Sequence, residues 1–152
     1  MTRQAALALA LYGLAGCGRG GSITQEFTRQ VPATPAAIVG SAVTTFSNHG
    51  FPVAVADEPA GKVRTAQVNL RGRLASGSPD DRVACSPAAG NLAGARDTAP
   101  LTVTFQLRVK SVPDGSIIAL NARQGSGGPS CTLKSTFVMQ LLDEITQGSR
   151  HR

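Results

Sequence analysis

The chain has 152 residues, 41% of them hydrophobic and only 16% charged, a balance that describes one folded domain and excludes a disordered polyelectrolyte. Its 17 Gly and 9 Pro imply long irregular connections; with aromatics at 4% and no Trp, the core must be built largely from aliphatic residues and gains from a covalent staple. The net charge of +6 would suit a membrane surface or nucleic acid, but the cations are dispersed and no aromatic side chains interleave with them, so nucleic acid is not expected as a partner.

Residues 1–16 fall into three zones: Met1-Thr2-Arg3-Gln4 with one positive charge, an apolar stretch over 5–13, and Leu14-Ala15-Gly16 immediately before Cys17. The apolar stretch is far shorter than the roughly 20 residues of a membrane-spanning helix, so it reads as a signal peptide. Its ending, Leu14-Ala15-Gly16-Cys17, resembles the bacterial lipobox. That resemblance implies cleavage before Cys17, diacylglycerol on its thiol and, usually, acylation of the new amino terminus. Each buried CH₂ contributes about 0.8 kcal/mol, so two or three acyl chains would hold the protein firmly on the membrane. The residue after Cys17 is Gly18 and not an acidic one, which leans toward the outer membrane, facing the periplasm, in a cell with two membranes. Residues 17–22, rich in glycine, have the composition of a flexible tether.

The folded part is expected over 23–148. Ile23, Phe27 and Val31 share one alternating face of a first strand, with Arg29 as a charge at an inward position. Thr34 and Pro35 are an N-cap and a first helical residue; Ile38, Val39, Ala42, Val43 and Phe46 then form one helical stripe that Gly50 terminates. Residues 51–56 and 62–71 read as strands around the turn Asp57-Glu58-Pro59-Ala60-Gly61. The stretch 72–100 has no sustained apolar period and reads as a long loop, pinned at Cys85. Leu101, Val103, Phe105, Leu107 and Val109 make the clearest strand; after the turn Pro113-Asp114-Gly115, residues 116–123 return beside it. From Cys131 onward Leu133, Phe137, Leu141, Leu142 and Ile145 fall at helical spacing up to Gly148, with 149–152 left as a basic tail. The fold class is α+β: an antiparallel sheet of four to five strands with two helices packed on one face.

With Cys17 assigned to lipid, Cys85 and Cys131 remain as an even pair, and a disulfide between them is expected. It would close a loop of roughly 45 residues, for which chain entropy gives about 4 kcal/mol. Two separate thiols or a metal site are the alternatives; neither cysteine has a His or Cys at ligand spacing, so no metal is expected.

Catalytic signatures are missing from the sequence. There is no Gly-x-Ser-x-Gly elbow, no phosphate loop ending in Lys-Ser or Lys-Thr and no His-Glu-x-x-His, and Gly125-Ser126-Gly127-Gly128 runs into Pro129. His49 sits at a helix end and His151 in the tail, while Asp57-Glu58, Asp80-Asp81 and Asp143-Glu144 are adjacent acids of the kind that solvate turns and helix faces. Arg64, Arg71 and Arg73 suggest a small basic patch. Neither enzyme activity nor a cofactor is expected.

The order of elements, and the stretch 37–64 with Gly50-Phe51-Pro52-Val53 and Gly61-Lys62-Val63-Arg64-Thr65, resemble the helix-grip domains of BamC-type envelope lipoproteins. Secure anchoring, a stapled small domain and the absence of catalytic groups point to a membrane-anchored, non-enzymatic binding or scaffolding module whose partner would be an envelope protein, contacted through the exposed sheet face or the 72–100 loop. A carrier or sensor holding a small apolar or lipid ligand between the C-terminal helix and the sheet is the alternative, with Phe105, Phe137 and Leu141 as its pocket.

Overall fold

A computed structural model describes residues 23–70, 82–85, 101–125 and 131–150. The expectations for the signal peptide, Cys17, the tether, Asp80-Asp81, most of the 72–100 stretch and His151 lie outside the described residues.

Strand β1 (Ile23–Val31) leads into helix α1 (Pro35–Asn48), and β2 (Val53–Asp57) and β3 (Lys62–Thr65) follow as a hairpin. After β4 (Val68–Asn69) and β5 (Val83–Cys85) come the long strands β6 (Thr102–Val112) and β7 (Gly115–Gln124), then β8 (Cys131–Leu133) and helix α2 (Ser135–Arg150). The main sheet is antiparallel in the order β1-β7-β6-β3-β2, with β4 as a sixth strand on β6. This is the expected α+β arrangement, one strand larger because the extended stretch after Gly61 breaks at Ala66 and Gln67 into β3 and β4, which pair β6 at separate places.

The β6–β7 hairpin forms the centre. Its two-residue turn sets Val112 opposite Gly115, and from there Leu107 faces Leu120 and Phe105 faces Ala122 on the inner side. Period-2 alternation buries Val103, Phe105, Leu107, Ile118 and Leu120 and leaves Thr104, Gln106, Arg108 and Arg123 on the opposite face. Helix α1 starts where its cap predicts: the Thr34 side chain accepts from the Ala37 N–H at 3.3 Å, Pro35 opens the first turn, and Gly50 follows the helix at a φ of 77°. Its stripe of Ile38, Val39, Ala42 and Phe46 packs toward β2, β3 and β6, while α2 lies against α1 and β1 and buries Phe137, Val138, Leu141, Leu142 and Ile145.

Two expectations at the C-terminal end are corrected. Residues 131–133 are extended, not helical: β8 pairs β5 in a small second sheet, the Leu133 N–H donates to Gln124 Oε1 at 3.0 Å, and Gln25 Nε2 donates to the Leu133 carbonyl at 2.8 Å. These bonds account for the backbone of Leu133 without a helix, and the helix begins only at Ser135. Gly148 does not end it. The helix runs on to Arg150, with Ser149 buried, and Gly148 leaves room for the Ser41 hydroxyl of α1, which a side chain there would meet.

Arg29, the inward charge of β1, sits at the sheet edge where its guanidinium reaches Asp143 of α2. A charge on the core side is tolerated there because both partners remain partly exposed.

Candidate functional site

The face of the sheet that the helices leave uncovered is concave and polar, and it encloses a trough of about 660 Å³. Register builds it. Gln106 of β6 lies directly opposite Arg64 of β3 on one side and Asn121 of β7 on the other, and Asn121 in turn faces Glu26 of β1. Two residues along, Arg123 faces both Thr104 and Thr24; two residues the other way along β6 stands Arg108. Facing side chains across an antiparallel pair are about 5 Å apart at Cβ, so these three arginines ring a floor of two amides.

The electrostatics are one-sided. Arg64, Arg108 and Arg123 line the trough with a single carboxylate, Glu26. Among the described residues Arg29 pairs with Asp143 and the His49 ring hydrogen-bonds Glu144, both on the helix side of the sheet. The three trough arginines therefore have no carboxylate partner among the described residues. No aromatic or large aliphatic side chain lines the trough itself, so recognition within it works by charge and hydrogen bonding.

The expected apolar pocket residues Phe105, Phe137 and Leu141 are brought together between α2 and the sheet, where they are 0%, 5% and 0% exposed. Phe105 stacks on Phe46 at 5.6 Å between ring centroids, meets Phe51 edge-on at 4.8 Å and lies 6.5 Å from Phe137. The Arg82 guanidinium, itself buried, is 5.2 Å from the Phe137 ring centre and 5.9 Å from that of Phe51. The Lys134 N–H donates to the Arg82 carbonyl at 2.8 Å, which ties the start of β5 to the segment after β8. Next to it, Cys85 and Cys131 are direct register partners across β5 and β8.

Of the residues considered for acid–base chemistry, His49, Asp57, Asp143 and Glu144 are engaged in structural contacts. His49 caps α1, bonds Glu144 of α2 at 2.7 Å and packs edge-on against Phe137 at 6.0 Å. Asp57 accepts from the Ala60 N–H in the β2–β3 turn at 2.9 Å, and Asp143 holds Arg29. Among the described residues no group of three or more His, Cys, Asp or Glu is placed to hold a metal ion, and no helix is long and apolar enough to cross a membrane.

Of the basic patch suggested by Arg64, Arg71 and Arg73, the last two lie outside the described residues; Arg64 instead joins Arg108 and Arg123. The sequence held a usable signal for that cluster. Arg108 and Arg123 occupy outer positions of the two alternating strands, and counting back from the Pro113-Asp114 turn places Arg123 opposite Thr104. The pairing of β3 with β6, which brings in Arg64, has no such local marker.

No family model and no curated relative matches the sequence. Solved structures do. The crystal structure of Ara h 8.0201 superposes with a TM-score of 0.51 at 13% identity, covering 85% of this chain and 95% of that one. An uncharacterised protein from Rhizobium leguminosarum gives a TM-score of 0.40 at 11% identity over 88% and 98% of the two chains, and a protein from Chromobacterium violaceum gives 0.37 at 10% over 83% and 93%. The first of these likenesses shows the fold, a helix-grip arrangement of an antiparallel sheet and two helices.

Proposed function

We propose that the protein is an envelope lipoprotein, held on the membrane by lipid on Cys17, and that it acts as a non-enzymatic binding module through the outer face of its sheet. The observation that carries this reading is the asymmetry of the sheet: both helices close one face over the core, and the other is left as a concave polar surface with unneutralised charge. Export is supported by the Leu14-Ala15-Gly16-Cys17 ending and by the even pair that remains. Directly opposed residues of an antiparallel pair have Cα atoms about 4.5–5.5 Å apart, inside the disulfide range, so the Cys85–Cys131 register suits a bridge and an oxidising compartment. Anchoring in the envelope makes an envelope component the expected partner.

Photo-crosslinking in living cells tests the assigned face. With the crosslinking residue placed at Gln106, on the trough floor, or at Met139, exposed on α2, specific adducts are expected from Gln106 alone. Adducts from Met139 and none from Gln106 would move the binding surface to the helices and sink the reading.

The convergence of Phe105, Phe137 and Leu141 beneath α2 favours a second reading, a carrier or sensor of a small apolar or lipid ligand. Such a ligand must displace side chains that are at most 5% exposed, so its binding would alter amide exchange throughout α2. A fluorescent fatty acid that binds and leaves α2 exchange unchanged would contradict this reading.

A further inference from the structure

We infer that the trough on the outer sheet face is a site for a small polyhydroxyl compound carrying a phosphate or carboxylate group. The inference rests on the proposal that this face is the binding surface, and it names what the surface takes. Its starting point is the charge pattern. Arg64, Arg108 and Arg123 come from three different strands yet line one concavity, and among the described residues none of them has a carboxylate partner. On the helix side, by contrast, Arg29 pairs with Asp143 of α2.

The spacing suits an anion. Arg64 and Arg123 are separated by two strand spacings across β6 and two residues along it, roughly 12 Å between backbones, and a guanidinium on a long stem from each side can close on a group between them. Planar guanidinium groups bind phosphate and carboxylate in bidentate fashion, which a lysine cannot do. On the floor, Gln106 and Asn121 are half-buried and supply amide donors and acceptors, and Glu26 at the β1 side accepts from hydroxyls. Donors and acceptors in that mixture fit hydroxyl groups on the same molecule as the acid. A volume of about 660 Å³ lies within the range of small-molecule sites and accommodates a sugar phosphate or an acidic sugar. A fatty acid would find no apolar wall here, and a neutral sugar would leave three arginines without a partner.

Isothermal titration of the full chain in nonionic detergent reads this directly. The probes are glucose 6-phosphate, galacturonate, glucose, and short-chain phosphatidylglycerol below its micelle concentration. Saturable binding of glucose 6-phosphate or galacturonate is expected, with glucose at least tenfold weaker and with affinity falling as salt rises. Arg64→Gln, Arg108→Gln and Arg123→Gln are each expected to weaken that binding about tenfold while leaving the circular dichroism spectrum unchanged, since all three residues are exposed. Stronger binding of the phosphatidylglycerol probe, with the same loss in the arginine variants, would assign the acid group to a lipid headgroup and keep the site. Absence of saturable binding by every charged probe, or binding that survives all three substitutions, would overturn the inference. The Gln106 crosslink separates the two failures: adducts there without anion binding would leave the outer face as the binding surface and refute only the ligand class.

Discussion

Replacing Gly148 by Ala inside α2 should destabilise the protein, against the ordinary rule for a helix interior. In an exposed helix the substitution gains about 1 kcal/mol, because glycine has the larger backbone entropy to lose. Here the added Cβ would stand 2.4 Å from Ser41 Oγ on α1. Ser41 is only 3% exposed, and its hydroxyl donates to the Ile145 carbonyl at 2.8 Å, so the group cannot swing aside without losing that bond in a dry place. A buried hydroxyl left without its partner costs about 1–3 kcal/mol, and parting the helices to avoid the clash would open the packing instead. The net expectation for Gly148→Ala is a loss of up to about 2 kcal/mol. Ser41→Ala alone loses about 1 kcal/mol with its hydrogen bond, but it removes the obstructing oxygen and leaves the Ser41 Cβ 3.5 Å from the new methyl, an ordinary contact. On that background Gly148→Ala recovers its helical gain, so the double variant should return close to the parent. The coupling between the two sites is then about 1–3 kcal/mol. Urea denaturation of the four proteins measures it, and in thermal melts each kcal/mol corresponds to roughly 3–6 °C. A Gly148→Ala protein that is more stable by itself would refute the close crossing of the two helices.

Other expectations follow from the same packing. Phe105→Ala should cost about 3–5 kcal/mol, because its ring is fully buried against Phe46, Phe51 and Phe137; chemical denaturation that registers less than about 1 kcal/mol would show that the aromatic cluster is not formed. Thr34→Ala should remove about 1 kcal/mol with the cap of α1, while Thr34→Ser retains most of it, and the two melting curves distinguish a lost cap from a lost methyl group.

What was legible in the sequence was local. The Thr34 and Pro35 start of α1, its Gly50 stop and the alternation of β6 and β7 each depend on residues within a few positions of one another, and they reappear in place. The misread parts depend on distant partners. Leu133 stands at helical spacing from Phe137, yet β5, three residues inside a Gly- and Pro-rich stretch too short to show a period, draws 131–133 into a strand pair. Gly148 looked like a stop signal because glycine usually ends helices; its role is steric and is set by Ser41, more than a hundred residues away. Arg29 looked out of place until α2 supplied Asp143. The candidate site was half legible: the outer positions of the hairpin carried Arg108 and Arg123, but only the pairing of β3 with β6 added Arg64 and made a trough of them.

The proposed export and lipid anchoring are tested by the intact mass of the full-length gene product recovered from its native membrane, alkylated before and after reduction. The expected result is a chain that starts at Cys17 and carries added acyl mass, with Cys85 and Cys131 alkylated only after reduction. An unacylated chain beginning at Met1, with both thiols free from the outset, would contradict it.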